Sequence, residues 1–377
     1  AEELYSLESR IFLESTGIYH FPLFCYLVDC GFNASIINPI ITHSTKNGNI
    51  RKVKNDKIDS KGIAKLGLSK DIPVSQFPAK LVLELRSLTR KYYDLTDERS
   101  AHINKLKGDL HTVFPQYLDV FCDVTGKTST MILRQYGTPD KILRGHKKTM
   151  IEKISKASRK GLAKASERYE KLCAAANAAK TFGCQIDSIY FNIFLTLDLV
   201  EKLDSALDSI LNRIRQLITF NKNEKFIQQI KLLNTIPGVG FLTAVTIMCE
   251  IGDFSAFRNP KQLFAYFGLD PEVNESGKFV GTQLHMSKRG SRIARRAIFA
   301  VALASIRTKR NGEGINPYLR KYYELKSGQK PKMVAIGAVM HKVCNIVFAV
   351  LRDEKAFELR SPEEHCKQYQ RPALAAA

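Results

Sequence analysis

The sequence contains no paired cysteine motif and no long uncharged apolar run. Its eight cysteines are scattered along the chain, with no Cys-x-x-Cys and no paired Cys/His spacing. This pattern argues against a zinc site or a disulfide framework and favours free thiols in a reducing compartment. Because neither a long apolar run nor a signal-peptide pattern near Ala1 is found, we expect a soluble intracellular protein without a membrane partner.

Acidic residues are also in short supply. The chain has 37 Asp and Glu against 58 Lys and Arg, which gives a formal net charge of +21. This excess of positive charge favours a polyanionic partner, with nucleic acid as the first candidate. A length of 377 residues is enough for two or three domains with substantial cores.

Residues 10–38 predict a βαβ unit. An apolar run that ends at Glu14 indicates a first strand, residues 20–29 indicate a helix closed by Gly31, and residues 34–37 indicate a second strand. Since a βαβ crossover returns the chain in the same direction, we expect a parallel sheet with a right-handed connection.

Three carboxylates accompany this unit. Glu14 ends the first strand, and Asp56 and Asp59 lie three residues apart on a predicted helix, so their side chains share one face. Converging carboxylates repel one another unless a cation lies among them, and Mg²⁺ is the usual cation where phosphate is the other ligand. The alternative is an ordinary Asp-x-x-Asp on a surface helix with no metal role.

The middle of the chain is predicted to be helical. Residues 141–171 hold eleven Lys and Arg against three Glu, a charge that fits either a solvated helical face or a nucleic-acid contact. Farther on, apolar residues alternate in spacings of four and three, a heptad seam that predicts a coiled coil. Its partner is the 80–115 helix or the 150–175 helix of the same chain, or a second subunit. The seam comprises Ile189, Ile193, Thr196, Val200, Leu203, Leu207, Ile210, Ile214 and Leu217.

A helix, a Gly-x-Gly turn and a second helix are predicted between residues 226 and 251. The turn contains Gly238 and Gly240. In a helix–hairpin–helix, such glycines let backbone N–H groups approach a phosphate without reading the base sequence. A plain turn between two packed helices gives the same sequence and is the alternative.

Ser276 lies in a polar loop that precedes a strongly basic helix. Arg292, Arg295 and Arg296 are spaced i, i+3, i+4, so they project from one side of that helix. Guanidinium groups bind phosphate through paired charge-assisted hydrogen bonds, and a hydroxyl beside them could attack a phosphodiester. The simpler alternative is a serine in a turn next to a solvated helix. The candidate nucleic-acid-binding residues are Gly238, Gly240, Lys278, Lys288, Arg289, Arg292, Arg295 and Arg296.

Short motifs in both halves of the chain, in order over about residues 14–350, resemble a known family. The N-terminal motifs are Glu14-Ser15-Thr16-Gly17-Ile18-Tyr19, Asn38-Pro39 and Lys54-Asn55-Asp56-Lys57-Ile58-Asp59-Ser60. The C-terminal motifs are Ile236-Pro237-Gly238-Val239-Gly240, Phe267-Gly268-Leu269, Ser276-Gly277 and Ser287-Lys288-Arg289-Gly290 through Arg295-Arg296. Together they resemble the DEDD insertion-sequence transposases of the insertion-sequence one-hundred-and-ten type, which are relatives of the Piv invertases.

The resemblance implies an α/β plus α fold. It places a RuvC-like (RNase H-type) domain over residues 1–115 and a basic helical segment with the coiled coil over 116–225. A small helical domain with the helix–hairpin–helix and the serine occupies 226–360, and 361–377 form a tail. The resemblance also implies that Glu14, Asp56 and Asp59 are the second to fourth members of the family's acidic tetrad, which binds Mg²⁺, and that Ser276 is the nucleophile.

The same resemblance implies partners and a cellular setting. The partners are donor and target DNA, a bridge RNA that pairs with both, and further copies of the chain in a dimer or tetramer. The acidic site and the serine are then expected to act as one composite site formed between subunits. The setting is the cytoplasm of a bacterium or archaeon.

The family's first aspartate lies on a strand upstream of the Glu14 motif. Only thirteen residues precede Glu14, and none of them is predicted to form that strand. We therefore expect the chain to lack its first β-hairpin and one metal ligand, which would weaken metal binding and activity.

The sequence patterns and the resemblance together lead to three hypotheses for the function. The leading hypothesis is an RNA-guided DNA transposase or recombinase, which exchanges strands with Mg²⁺ through a covalent serine–DNA intermediate. The second is a RuvC-type structure-selective endonuclease, in which the carboxylates act with water and Ser276 is incidental. The third is a non-catalytic nucleic-acid-binding relic of a transposase.

Overall fold

The computed structural model of the chain divides into two compact units after Lys80. It describes residues 10–14, 19–37, 56–69, 79–271, 275–276, 279–280, 285–361 and 363–364.

The first unit contains a parallel βαβ arrangement, as the sequence predicts. Its elements are β1 (Arg10–Glu14), α1 (His20–Asp29), β2 (Asn33–Ile37) and α2 (Asp56–Ser69). The strands pair in parallel from Arg10 opposite Asn33 to Glu14 opposite Ile37. Gly31 ends α1 with a left-handed φ of 82°, a conformation that glycine adopts without steric cost.

Helix α2 packs closely on β1. A Cβ atom at Gly67 would lie 2.4 Å from the Phe12 ring, so glycine is required for this approach. On the sheet, Phe24 of α1 and Ala34 of β2 are buried together with Leu27. These contacts are consistent with a small RuvC-like sheet whose described part has two strands.

The second unit has two helical cores. The middle core, which includes Ile132, Met150 and Leu172, is built mainly from the short helices α4 to α8. The terminal core, which includes Ile247 and Val301, is built mainly from α10 to α15. The first group is α4 (Tyr117–Val120), α5 (Lys127–Gln135), α6 (Pro139–Arg144), α7 (Lys147–Ser158) and α8 (Leu162–Phe182). The second is α10 (Lys225–Leu233), α11 (Phe241–Ile251), α12 (Pro260–Tyr266), α13 (Arg292–Ile306), α14 (Pro317–Ser327) and α15 (Lys332–Asp353).

Two long helices, α3 (Lys80–Val113) and α9 (Asp187–Phe220), contribute to both cores. Each has 34 residues, a length of about 50 Å. Helix α3 places Leu85 in the terminal core and Leu110 in the middle core, while α9 runs the other way. Midway, the Arg99 guanidinium donates from Nη2 to Asp204 Oδ2 at 3.1 Å and joins the two helices.

The helical prediction for residues 189–217 is confirmed. Each of the nine seam positions on α9 is buried or half-buried. Since α9 shares both cores with α3, part of the seam is covered within the chain. A coiled coil with a second subunit stays a prediction.

The segment around Ser276 forms a short β-hairpin, where the sequence predicts a loop. Strands β3 (Glu275–Ser276) and β4 (Phe279–Val280) pair antiparallel, with Ser276 opposite Phe279. The sequence gives no alternation long enough to predict these two-residue strands, because a hairpin of this size depends on the structure around it.

Helix α15 is long and apolar, although Lys342 interrupts its apolar sequence near the middle. By length and composition it is one helix among those described that could cross a membrane. Its apolar residues are used inside the protein, since Val339, Val343 and Val347 are buried in the terminal core.

Candidate nucleic-acid interface and acidic residues

The acidic residues of the first unit lie on elements that pack together. Glu14 is the last residue of β1 and is half-buried, and Asp56 and Asp59 lie in the first turn of α2. Carboxylate oxygens suit a hard divalent cation. Within the described residues, however, no group of three His, Cys, Asp or Glu side chains is placed to hold a metal. The metal site at Glu14, Asp56 and Asp59 therefore stays a prediction.

The Gly-x-Gly turn between α10 and α11 uses its two glycines differently. Gly238 has a φ of 98°, and a Cβ there would lie 2.4 Å from Ser305 Oγ of α13. Ser305 Oγ in turn donates to the Pro237 carbonyl at 2.9 Å. Gly240, the N-cap of α11, has no atom within 4 Å of its Cβ position. Gly238 thus serves packing, while the open side of Gly240 leaves room for a phosphate.

A basic loop, residues 285–291, leads into helix α13. Ser287 N donates to Asp270 O at 2.8 Å, and Ser287 Oγ donates to Asp270 Oδ1 at 2.5 Å. Lys288 N donates to Gly268 O at 3.0 Å. Lys288 has a φ of 52°, a left-handed conformation that costs a non-glycine residue roughly 1 kcal/mol. The hydrogen bonds to residues 268–270 therefore hold the basic loop in one conformation.

Glycine also fixes the path of this loop. A Cβ at Gly290 would lie 2.0 Å from the Tyr266 carbonyl oxygen, and one at Gly268 would lie 2.4 Å from Gly290 N. The backbone of the basic loop is thus pressed against the turn that follows α12. The side chains of Lys288 and Arg289 are exposed.

Arg295 stabilises the basic loop through two hydrogen bonds to backbone carbonyl oxygens. Its Nη1 donates to Gly290 O at 2.6 Å and to Phe267 O at 3.2 Å. Burial lowers the pKa of the Arg295 guanidinium. The Arg295 guanidinium therefore contacts backbone carbonyls, although the helical spacing places Arg295 on the same side of α13 as Arg292 and Arg296.

The other two arginines of the row contact helix α3. Arg296 Nη1 donates to Asp97 Oδ1 at 2.7 Å, and its guanidinium lies 4.8 Å from the centre of the Tyr93 ring. Arg292 Nη2 lies 3.5 Å from Asp97 Oδ2, with 74% of its side chain exposed. Arg292 is therefore the most accessible of the three, and one carboxylate faces two guanidinium groups.

An ion pair between the half-exposed Arg90 and the buried Glu250 was missed by sequence reasoning. Arg90 donates from Nε and Nη2 to Glu250 Oε1 and Oε2 at 2.8 and 2.9 Å. Burial acts to raise the pKa of Glu250, but hydrogen bonds from Arg90 and Ser291 outweigh it and hold the pKa below its usual value. Ser291 is the N-cap of α13, so the pair connects α3, α11 and α13. A lone Glu in the apolar helix Phe241–Ile251 was the available signal.

The structure brings some predicted site residues together and leaves others separate. Lys288, Arg289, Arg292 and the β-hairpin with Ser276 belong to the second unit, and the carboxylates belong to the first. Lys278 lies outside the described residues, as do residues 38–55, which precede Asp56. A composite site of serine and carboxylates stays a prediction.

Two family models match the chain, one in each half. Residues 3–115 match a transposase model of the DEDD, IS110 type, and residues 230–324 match a model described as "Transposase IS116/IS110/IS902 family". The first covers the carboxylates and α3, and the second covers the Gly-x-Gly turn, Ser276 and the basic loop.

Individual proteins show the same similarity. An insertion element IS110 uncharacterized 43.6 kDa protein of Streptomyces coelicolor is 23% identical over 75% of this chain and 66% of its own length. The pilin gene-inverting protein of Moraxella bovis is 30% identical over 47% of this chain and 52% of its own. The transposase for insertion sequence element IS1111A of Coxiella burnetii is 26% identical over 48% and 50%. The chain thus spans about half to two thirds of the length of these three relatives. Because family models match both halves, the chain belongs to the IS116/IS110/IS902 family of transposases.

Proposed function

We propose that the chain is a DNA transposase or recombinase whose basic loop binds the DNA backbone at the reacting phosphodiester. The observation that carries this proposal is the way the basic loop is held. Hydrogen bonds from Ser287 to Asp270 and from Arg295 to Gly290 fix it, while Lys288 and Arg289 stay exposed. A fixed cationic loop binds phosphate with little loss of side-chain and backbone freedom, which favours stabilisation of a charged transition state.

The proposed nucleophile is Ser276. Its Oγ attacks the phosphorus of a phosphodiester, an Oγ–P bond forms, and one deoxyribose oxygen leaves and takes up a proton. A free deoxyribose hydroxyl of a second strand then attacks the same phosphorus, joins the strands and releases Ser276 Oγ. Phosphodiester bonds are conserved in number, so neither a nucleotide cofactor nor an oxidant is needed. Lys288, Arg289 and Arg292 neutralise the phosphate in both steps.

The proposed metal ligands are Glu14, Asp56 and Asp59. Bound there, Mg²⁺ would supply a positive charge at the reacting phosphate. The support for this role is the DEDD-type family match and the placement of these residues on β1 and the first turn of α2, which pack together. Binding is measurable without turnover, by calorimetric titration of the protein and of an Asp59→Asn variant with Mg²⁺.

The proposed partners are nucleic acids and further copies of the chain. Donor and target DNA are the substrates, a bridge RNA selects them, and a dimer or tetramer of the chain assembles in the cytoplasm. Base pairing by the RNA would carry the sequence information, so the protein needs few residues that read bases. The net charge of +21 supports polyanionic partners. Sequencing of copurified nucleic acid tests guidance: one dominant structured RNA supports it, and random fragments oppose it.

Strand cleavage by the Ser276→Ala variant separates the candidate reactions. Labelled DNA carrying the element's ends is incubated with Mg²⁺ and either protein together with its copurified nucleic acid, and products are resolved under denaturing conditions. A protein–DNA adduct that forms with Ser276 and is lost in the variant supports the recombinase. Unchanged cleavage in the variant indicates a hydrolytic endonuclease, and no strand breakage by either protein indicates a non-catalytic binding protein.

A further inference from the structure

Helices α7 and α8 form an antiparallel pair that carries a dense set of exposed cations. We call residues 141–171, which also include the end of α6, the basic hairpin. Of its eleven Lys and Arg, Lys171 has a carboxylate partner in the ion pairs described, namely Glu167. Hydrated cations this close together repel one another, so their clustering favours a polyanion. The exposed members are Lys141, Arg144, Lys147, Lys148, Lys153, Lys156, Arg159, Lys160, Lys164 and Lys171.

The tip of the basic hairpin is ordered by its own hydrogen bonds. Arg159 adopts a left-handed φ of 52° where α7 ends. Ser155 Oγ donates to Lys160 O at 2.8 Å and closes the turn. Four exposed cations surround this turn, and they are Lys156, Arg159, Lys160 and Lys164. A fixed turn with four cations is suited to hold consecutive phosphates of a nucleic-acid strand.

A cleft of about 630 Å³ opens between α7 and α8 beside these cations. Two cations, Lys147 and Lys148, and one carboxylate, Glu152, line the cleft, and Ile151 and Leu162 form its apolar floor. Leu162 is 60% exposed although it lies in the first turn of α8. Exposed apolar surface beside closely spaced lysines is unfavourable in water and favours a ligand that is both apolar and anionic.

We propose that this cleft binds an unpaired nucleotide of a single nucleic-acid strand, with its base on Leu162 and Ile151 and its phosphates on the lysines. A duplex presents phosphates outward and keeps its bases stacked, so it would leave the apolar floor uncovered. An unpaired base has a free face that packs on apolar and aromatic groups. The inference rests on the proposed function, in that it assumes a nucleic-acid-processing protein, and it adds a site remote in sequence from the basic loop.

The test measures binding of the full chain to labelled ten-nucleotide probes by fluorescence anisotropy across a salt series. The probes are oligouridine, oligothymidine and a duplex of equal length. A variant with Lys147, Lys148, Lys156 and Lys160 changed to Ala should lower the salt slope for single strands by about 3, at roughly 0.7 for each phosphate that is no longer neutralised. The matched control changes four exposed cations of α3 and α9, Lys105, Lys107, Lys202 and Arg213, and should leave that slope unchanged.

The apolar floor is tested by a neutral substitution. Leu162→Ser should weaken single-strand binding by about tenfold, because the base no longer buries apolar surface, with the salt slope and duplex binding unchanged. Tighter binding of oligouridine or of oligothymidine assigns the strand to RNA or to DNA, and either supports the inference. Equal losses in the four-cation variant and its control, or no effect of Leu162→Ser in a protein with an unaltered circular dichroism spectrum, would overturn it. Ser276→Ala should bind these probes normally, so failure of the covalent chemistry and failure of this site are distinguishable.

Discussion

Asp97 on α3 accepts a hydrogen bond at 2.7 Å from Arg296 on α13. The same carboxylate lies 3.5 Å from the Arg292 guanidinium, so a residue of the long helix neutralises part of the basic surface. A DNA phosphate that binds Arg292 or Arg296 must compete with Asp97. The carboxylate is therefore expected to limit the affinity of this surface for DNA.

Asp97→Asn should tighten DNA binding and steepen its salt dependence, because up to two guanidinium groups become free for phosphate. Each additional phosphate that is neutralised increases the slope of log K against log salt by about 0.9. Glu98→Gln on the same helix is the matched control, since it changes net charge equally and Glu98 is exposed. An equal effect in both variants would show that net charge alone, and not release of the arginines, governs affinity.

Arg289 and Arg295 should differ in what their replacement changes. Arg289→Ala should reduce the salt slope of DNA binding by about 1 and leave the unfolding midpoint unchanged, because the side chain is exposed. Arg295→Ala should lower the unfolding midpoint, since the carbonyls of Gly290 and Phe267 lose a charged donor worth about 1.5–3 kcal/mol. Urea unfolding and filter binding on both variants make the comparison. The opposite pattern would place Arg295 on the DNA and Arg289 in the fold.

The two glycines of the turn before α11 should respond differently to alanine. Gly238→Ala should destabilise the protein by about 2–4 kcal/mol, since it adds a left-handed alanine and a clash with Ser305. Gly240→Ala should cost less than about 1 kcal/mol, as expected for an N-cap change into open space. If Gly240 approaches a phosphate, this second variant loses DNA affinity at nearly unchanged stability. Comparable stability losses in both variants would contradict the assignment of Gly238 to packing.

The Arg90–Glu250 pair should make stability fall in acid. The pKa of Glu250 is held below its usual value of 4.5 in the folded protein, so its contribution is present above that value. It is lost as the pH falls below about 4.5 towards the folded-state pKa. Glu250→Gln should therefore be less stable than the natural chain at pH 7 and lose less stability between pH 5 and pH 3. Thermal unfolding across this pH range measures the loss of stability of both proteins. Parallel losses in the two would exclude Glu250 as the titrating group.

What the sequence predicts well here is local and periodic. The βαβ unit follows from short apolar runs and helix α9 from spacings of three and four residues along one segment, and the strands and helices form as predicted. The different contacts of the three arginines on α13 could not be predicted in this way. The spacing of Arg292, Arg295 and Arg296 places all three on one side of the helix. Asp97, which contacts Arg292 and Arg296, lies about two hundred residues away in the chain.

In the candidate site, too, contacts between residues distant in the chain could not be predicted from the sequence. Gly238 and Gly240 look alike in sequence, and only the approach of Ser305 from α13 distinguishes packing from open space. The anchoring of the basic loop on Asp270 and Gly268 likewise depends on contacts across a turn. Glu250 is the exception, because a single carboxylate in an otherwise apolar, buried helix already signals a cationic partner.

The most direct test of the proposed chemistry is to identify the amino acid joined to DNA. The protein, with its copurified nucleic acid and Mg²⁺, is incubated with DNA carrying the element's ends, digested with trypsin and nuclease, and analysed by mass spectrometry. The proposed mechanism predicts a nucleotide on residues 262–278, attached at Ser276 and absent from Ser276→Ala. Strand cleavage that proceeds with no nucleotide on any peptide, or with the nucleotide attached at another residue, would contradict it.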